Sequence, residues 1–146
     1  MLPAKEVGGD LYDYFTLPDG RLCLAIGDVS DKGVPAALFM AVTRTLIRAT
    51  AEDETDPALM MQKINNRLSE NNPNMMFVTL LIGVLDMTTG DLQWANAGHL
   101  PPAVVGADGV VRLLQGRSGP ACGVQEDLEY RCLSTLLAPG EMLVGY

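Results

Sequence analysis

Asp10-Leu11-Tyr12-Asp13-Tyr14-Phe15-Thr16-Leu17-Pro18-Asp19-Gly20-Arg21-Leu22-Cys23-Leu24-Ala25-Ile26-Gly27-Asp28 carries the strongest structural signal of the chain. Two runs, one aromatic-rich and one almost continuously apolar, flank Pro18-Asp19-Gly20, so a β-hairpin is predicted with strands at Leu11 to Leu17 and Arg21 to Gly27. The second strand reads as buried on both faces, Leu22, Leu24 and Ile26 on one side and the smaller Cys23 and Ala25 on the other. If Pro18-Asp19-Gly20 is a three-residue loop, Leu17 faces Arg21 and Asp10 faces Asp28. Directly opposed side chains have Cβ atoms about 4.5–5.5 Å apart, so two ionised carboxylates there repel and a cation would relieve them. Asp28 shares the parity of Leu22, Leu24 and Ile26 and stands where their strand ends, which places the pair on a rim over a core. A two-residue loop would set Asp10 opposite Val29 instead, whose carbonyl is also a hard oxygen ligand. The bland alternative is that both aspartates merely end strands or cap turns, as Asp19, Asp91 and Asp108 are expected to do.

Beyond this hairpin, Ala36, Ala37, Met40, Ala41, Leu46 and Ile47 recur at helical spacing, and Pro35 suits a first turn, predicting a helix to about Thr50. A second helix follows the acidic loop Glu52 to Asp56, with Asp56 as N-cap before Pro57 and an apolar stripe at Leu59, Met60, Ile64 and Leu68. Strands are predicted at Phe77 to Leu85, Leu92 to Ala97, Ala103 to Val105, Val110 to Leu114, Tyr130 to Leu133 and Met142 to Tyr146. Met40, Met60, Met61, Met75 and Met76 read as core fillers. This order predicts an α+β domain with helices packed on antiparallel sheet.

The chain has 146 residues, enough for one core, and 48% of them are hydrophobic, which argues for a globular domain. A net charge of −8 leaves no basic cluster to displace counterions from a nucleic acid. Cys23, Cys122 and Cys132 form neither a CxxC pair nor an even set, so a reduced, cytoplasmic setting is expected. No apolar run approaches the roughly 20 residues of a membrane span, so no membrane contact is expected from this segment; sensor or membrane domains of a parent protein, and oligomerisation, are left open.

The run Glu6-Val7-Gly8-Gly9-Asp10-Leu11-Tyr12-Asp13, followed by Ile26-Gly27-Asp28-Val29-Ser30-Asp31-Lys32-Gly33-Val34-Pro35-Ala36-Ala37, resembles the SpoIIE/RsbU-type branch of the PP2C serine/threonine phosphatases. Phe77-Val78-Thr79-Leu80, Asn96-Ala97-Gly98-His99-Leu100-Pro101-Pro102 and Leu137-Ala138-Pro139-Gly140-Glu141 extend the likeness along nearly the whole chain. The resemblance implies an αββα sandwich of two antiparallel sheets flanked by helices, with a two-metal site of manganese or magnesium at one rim. It implies that Asp10, Asp28 and the Val29 carbonyl are metal ligands, and that a metal-activated water, not a protein nucleophile, attacks the phosphorus. It further implies a phosphorylated regulatory protein as substrate, in this branch often a STAS-type anti-anti-sigma factor. Family members carry a Thr-Asp-Gly segment and a further acidic motif after the position of Tyr146, so residues 1–146 read as one domain clipped at both ends. A regulatory or scaffolding module that keeps the fold without turnover is the alternative. His99, the sole histidine, and Asn96 read as loop-holding residues at a strand end; Gly9 and Gly33 flank the aspartates and complete the candidate site.

Overall fold

The computed structural model describes residues 9–146, so Glu6, Val7 and Gly8 of the first motif lie outside the described residues. The hairpin forms as expected from strands β1, Asp10–Thr16, and β2, Leu22–Val29. The amide of Leu17 donates to the carbonyl of Arg21 at 2.7 Å, and that of Gly20 to Leu17 at 2.9 Å, closing the three-residue loop. Gly20 lies at φ 92°, where a side chain would be strained, as loops of this kind require.

Two helices follow, α1 at Val34–Thr50 and α2 at Pro57–Ser69. The Asp56 carboxylate accepts from the amides of Ala58 and Leu59 at 2.8 and 3.2 Å, satisfying two of the orphan donors of α2. Asp56→Ala is expected to cost about 1 kcal/mol, read as a lower urea midpoint with an unchanged slope. The remaining strands are β3 Val78–Leu85, β4 Asp91–Ala97, β5 Ala103–Val105, β6 Val111–Leu113, β7 Leu133–Leu136 and β8 Met142–Val144.

A five-stranded antiparallel sheet in the order β1-β2-β3-β4-β7 faces a three-stranded one in the order β6-β5-β8, giving the expected two-sheet architecture. Both helices lie on one face of the larger sheet. Ile47, Met60, Met61 and Ile64 are buried there against Cys23, Ala25, Ile82 and Val84. Each such large side chain contributes about 1.5–3 kcal/mol by leaving water. Between the sheets a second cluster gathers Leu81, Leu92, Trp94, Val104 and Leu114.

Five expectations need correction, the first on α2, where Leu59 of the expected apolar stripe is 44% exposed. The bulky face of β2 is only half-buried, because the smaller sheet covers part of the larger one; Tyr12 and Tyr14, on the same side of β1, are 79% and 73% exposed. The strand expected at Tyr130 to Leu133 lies at Leu133–Leu136. Tyr130 instead anchors the preceding loop, its hydroxyl donating to the Pro120 carbonyl at 2.9 Å. Met75 is no core filler: it is exposed at φ 50°, in a turn that points it outward. On α1 the buried positions are Ala36, Thr43 and Ile47, while Ala41 faces solvent.

Candidate metal centre

In the observed register Asp10 stands opposite Asp28. Hydrogen bonding fixes how close that pairing is. The Val29 amide donates to the Gly9 carbonyl at 3.1 Å, and at the other end Leu17 bonds Arg21. Bonded and non-bonded pairs alternate along an antiparallel ladder, so Asp10 and Asp28 fall on a non-bonded pair, where the Cα atoms approach to about 4.5 Å and side chains are closest. Both carboxylates are exposed at the end of the sheet.

The electrostatics follow from that geometry. The Asp28 carboxyl is held above the ordinary carboxylate range, first by partial desolvation and then by the hydrogen bond and charge of Asp10; His99 and Lys32 pull it the other way. A site that disfavours its own negative charge is one that a cation completes. The donors are hard oxygens, which suit magnesium or manganese better than softer metals. Among the described residues no group of three or more His, Cys, Asp or Glu side chains comes together.

The other candidate residues surround the pair. At Gly9 a Cβ would lie 2.8 Å from the Val29 Cβ, so glycine is what lets β1 close against Val29. Gly33, at φ 88°, turns the chain from the rim into α1, which starts without a side-chain cap. Buried Asn96 closes the loop after β4: its amide group donates to the His99 carbonyl at 3.0 Å, and its side-chain oxygen accepts from the His99 amide at 2.8 Å. The His99 ring then joins three strand ends. Its Nδ1 is 2.9 Å from the Thr79 hydroxyl, and its Nε2 is 2.8 Å from the backbone oxygen of Tyr146, just past β8. Thr79 faces Asp28 across β2 and β3, with its hydroxyl 3.4 Å from the Asp28 carbonyl.

Thr79 was not among the residues singled out from sequence. Two helices separate β2 from β3, so no short turn reveals which residue of β3 meets Asp28. Arg117 was missed as well. Together with Asp28, Thr79, His99, Gln115 and Gly116 it lines an open cavity of about 500 Å³ beside the aspartate pair.

A two-sheet sandwich backed by helices, with paired aspartates at its rim, is the architecture of PP2C-type domains. The chain belongs to the SpoIIE family: the family model "Stage II sporulation protein E (SpoIIE)" matches residues 18–146. It is 34% identical to Protein IcfG of Synechocystis, over 99% of this chain and 27% of that protein. To Phosphoserine phosphatase RsbU of Bacillus subtilis it is 28% identical, over 98% of this chain and 42% of the relative. The chain thus spans less than half the length of these relatives. Among solved structures, that of the RsbU and RsbW domains of Rv1364c from Mycobacterium tuberculosis superimposes with a TM-score of 0.82 at 30% identity, over 94% of this chain and 38% of that one. The SiaA-PP2C domain of Pseudomonas aeruginosa gives 0.78 at 24% identity, over 94% and 54%, which bears on the fold alone. RsbX, solved in complex with magnesium, shares the fold at 15% identity and a TM-score of 0.72, over 92% of this chain and 63% of that one. No helix among the described residues is long and apolar enough to cross a membrane.

Proposed function

We propose that this chain carries metal ligands of a phosphoserine/phosphothreonine protein phosphatase in a bacterial signalling protein. The observation that carries the reading is the close Asp10–Asp28 pair, of which Asp28 lines a cavity of about 500 Å³. RsbU and RsbP of Bacillus subtilis, both named phosphoserine phosphatases, are its relatives at 28% and 27% identity, which supports turnover over a scaffolding role.

The fit to a divalent metal rests on the oxygen donors and on the raised Asp28 carboxyl. Asp10, Asp28 and the Val29 carbonyl would hold manganese or magnesium. When bound, such metals supply charge stabilisation at phosphorus and acidify water. The chain's own residues do the rest: Gly9 admits the backbone of Val29, Gly33 turns the chain away from the rim, and Asn96, His99 and Thr79 brace the backbone behind Asp28. The substrate class we propose is a phosphorylated regulatory protein of the STAS anti-anti-sigma type in the cytoplasm. Similarity to Phosphoserine phosphatase RsbU and to the RsbU and RsbW domains of Rv1364c supports a regulatory protein as partner.

The test is phosphate release from a phosphoserine protein by the full-length protein, with manganese and with chelator. Manganese-dependent release is expected; no release, or release unaffected by chelator, would sink the reading. His99→Ala is expected to weaken manganese binding about tenfold, since residues behind metal ligands typically matter on that scale. Calorimetric titration checks it.

A further inference from the structure

Arg117 is one of three cations among the described residues, with Lys32 and Arg131, that form no ion pair. Arg21 pairs with Asp19, Arg44 and Arg48 with Asp13, Lys63 with Glu54, Arg67 with Glu70 and Arg112 with Glu141. Arg117 forms no ion pair among the described residues, and it lines the same cavity as Asp28, Thr79 and His99. Lys32, whose charge reaches Asp28, supplies a second positive group at this rim. A protein of net charge −8 repels a phosphoryl dianion, so a cation left uncommitted at the cavity is where an incoming phosphate finds compensation.

The backbone holds this arginine in place. Next to it, the Ser118 amide donates to the Asn96 carbonyl at 3.0 Å, and the Ser118 hydroxyl accepts from the Asn96 amide at 2.9 Å. The Arg131 amide donates to the Ser118 carbonyl at 3.1 Å, and Gly119 forms a parallel bridge with Ala97. On the other side Gly116 sits at φ 130°, and a Cβ there would come 2.8 Å from Leu133 Cδ1. Arg117 is therefore registered to the end of β4, two elements that sequence separates but the loop after β6 brings to one rim. A guanidinium presents paired donors that match two phosphate oxygens, and such charge-assisted contacts are the strong ones.

We propose that Arg117 is a phosphoryl-binding residue, its guanidinium engaging the non-bridging oxygens of a phosphoserine or phosphothreonine side chain seated in the cavity beside Asp28. This rests on the phosphatase reading and adds the group that recognises the substrate. The test compares wild-type full-length protein with Arg117→Gln and Arg117→Lys, using a phosphoserine peptide as substrate and inorganic phosphate as inhibitor and as directly titrated ligand. Arg117→Gln should raise KM and weaken phosphate binding about tenfold or more, Arg117→Lys should recover part of both, and manganese affinity and melting temperature should stay as in wild type. Unchanged KM and phosphate binding in Arg117→Gln would overturn the proposal and leave the phosphatase reading standing. A higher KM with unchanged phosphate binding would overturn it too, placing Arg117 against the peptide and not its phosphate. Were wild-type turnover absent, the phosphatase reading would fall, and equal phosphate titrations of wild type and Arg117→Gln would overturn the arginine's role on its own.

Discussion

Asp28→Asn is expected to lower manganese-dependent turnover more than about 100-fold while making the metal-free protein slightly more stable. Losing a residue that only supports a metal ligand typically costs 10–100-fold in affinity or activity, so losing a ligand should cost more. The stability gain comes from the same feature. Asp28 faces Asp10 on the closest kind of cross-strand pair, and its carboxyl is raised by partial desolvation and then by Asp10. A carboxyl raised on folding makes the folded state prefer the protonated form. The stability this contributes is present below the unfolded pKa and is lost as pH rises through the folded one. At neutral pH the ionised pair therefore works against folding, and removing one charge should return about 0.5 kcal/mol, a small figure because the rim is open to solvent. Thermal melts with and without manganese check both halves. Wild type should gain stability with manganese and the variant should not, and full turnover in Asp28→Asn would contradict the assignment.

Asp13→Ala is expected to destabilise the fold by about 2 kcal/mol, among the larger single-site losses available outside the hydrophobic core. The Asp13 side chain is 4% exposed and faces the helices. Arg48 clamps it with two bonds of 2.8 Å, Arg44 approaches to 3.4 Å, and the Arg48 guanidinium lies 4.6 Å above the Phe15 ring. Breaking a fully buried pair costs about 3–5 kcal/mol, but both arginines are about half exposed and regain water when the carboxylate is gone, which sets the lower figure. The pH dependence has the opposite sign from that of Asp28. Hydrogen bonding to Arg48 holds the Asp13 carboxyl below the ordinary range, so its stabilisation is present above the unfolded pKa near 3.9 and fades as pH falls through the folded value. Urea titrations between about pH 2 and 6 should show wild type losing stability towards acid more steeply than Asp13→Ala, and parallel slopes would refute the account.

How much of this was legible in the sequence depended on how short the connection was. The β1–β2 hairpin has a three-residue loop, so local turn chemistry fixed the register and with it the Asp10–Asp28 pairing. The helices were equally legible, because periodicity and the Asp56–Pro57 start are local features. Asp13 carried no such signal: an aspartate inside a strand reads as solvent-facing until two arginines from α1 arrive above it. Tyr130 misled for a related reason, since an aromatic alternating with Leu128 and Cys132 reads as strand when its real partner is the Pro120 carbonyl ten residues away.

Hydrophobic period, turn residues and motif strings act over short separations, so most elements, the carboxylate pair and the family resemblance are readable from the chain alone. The surroundings of that pair depend on tertiary contacts. Thr79 reaches Asp28 from across two helices, His99 joins the ends of β3 and β8, and Arg117 lines the cavity where Ser118 and Gly119 are bonded to the end of β4. Each of those contacts depends on sheet order and on loops closed by long-range hydrogen bonds, and neither is written in any local stretch of the chain.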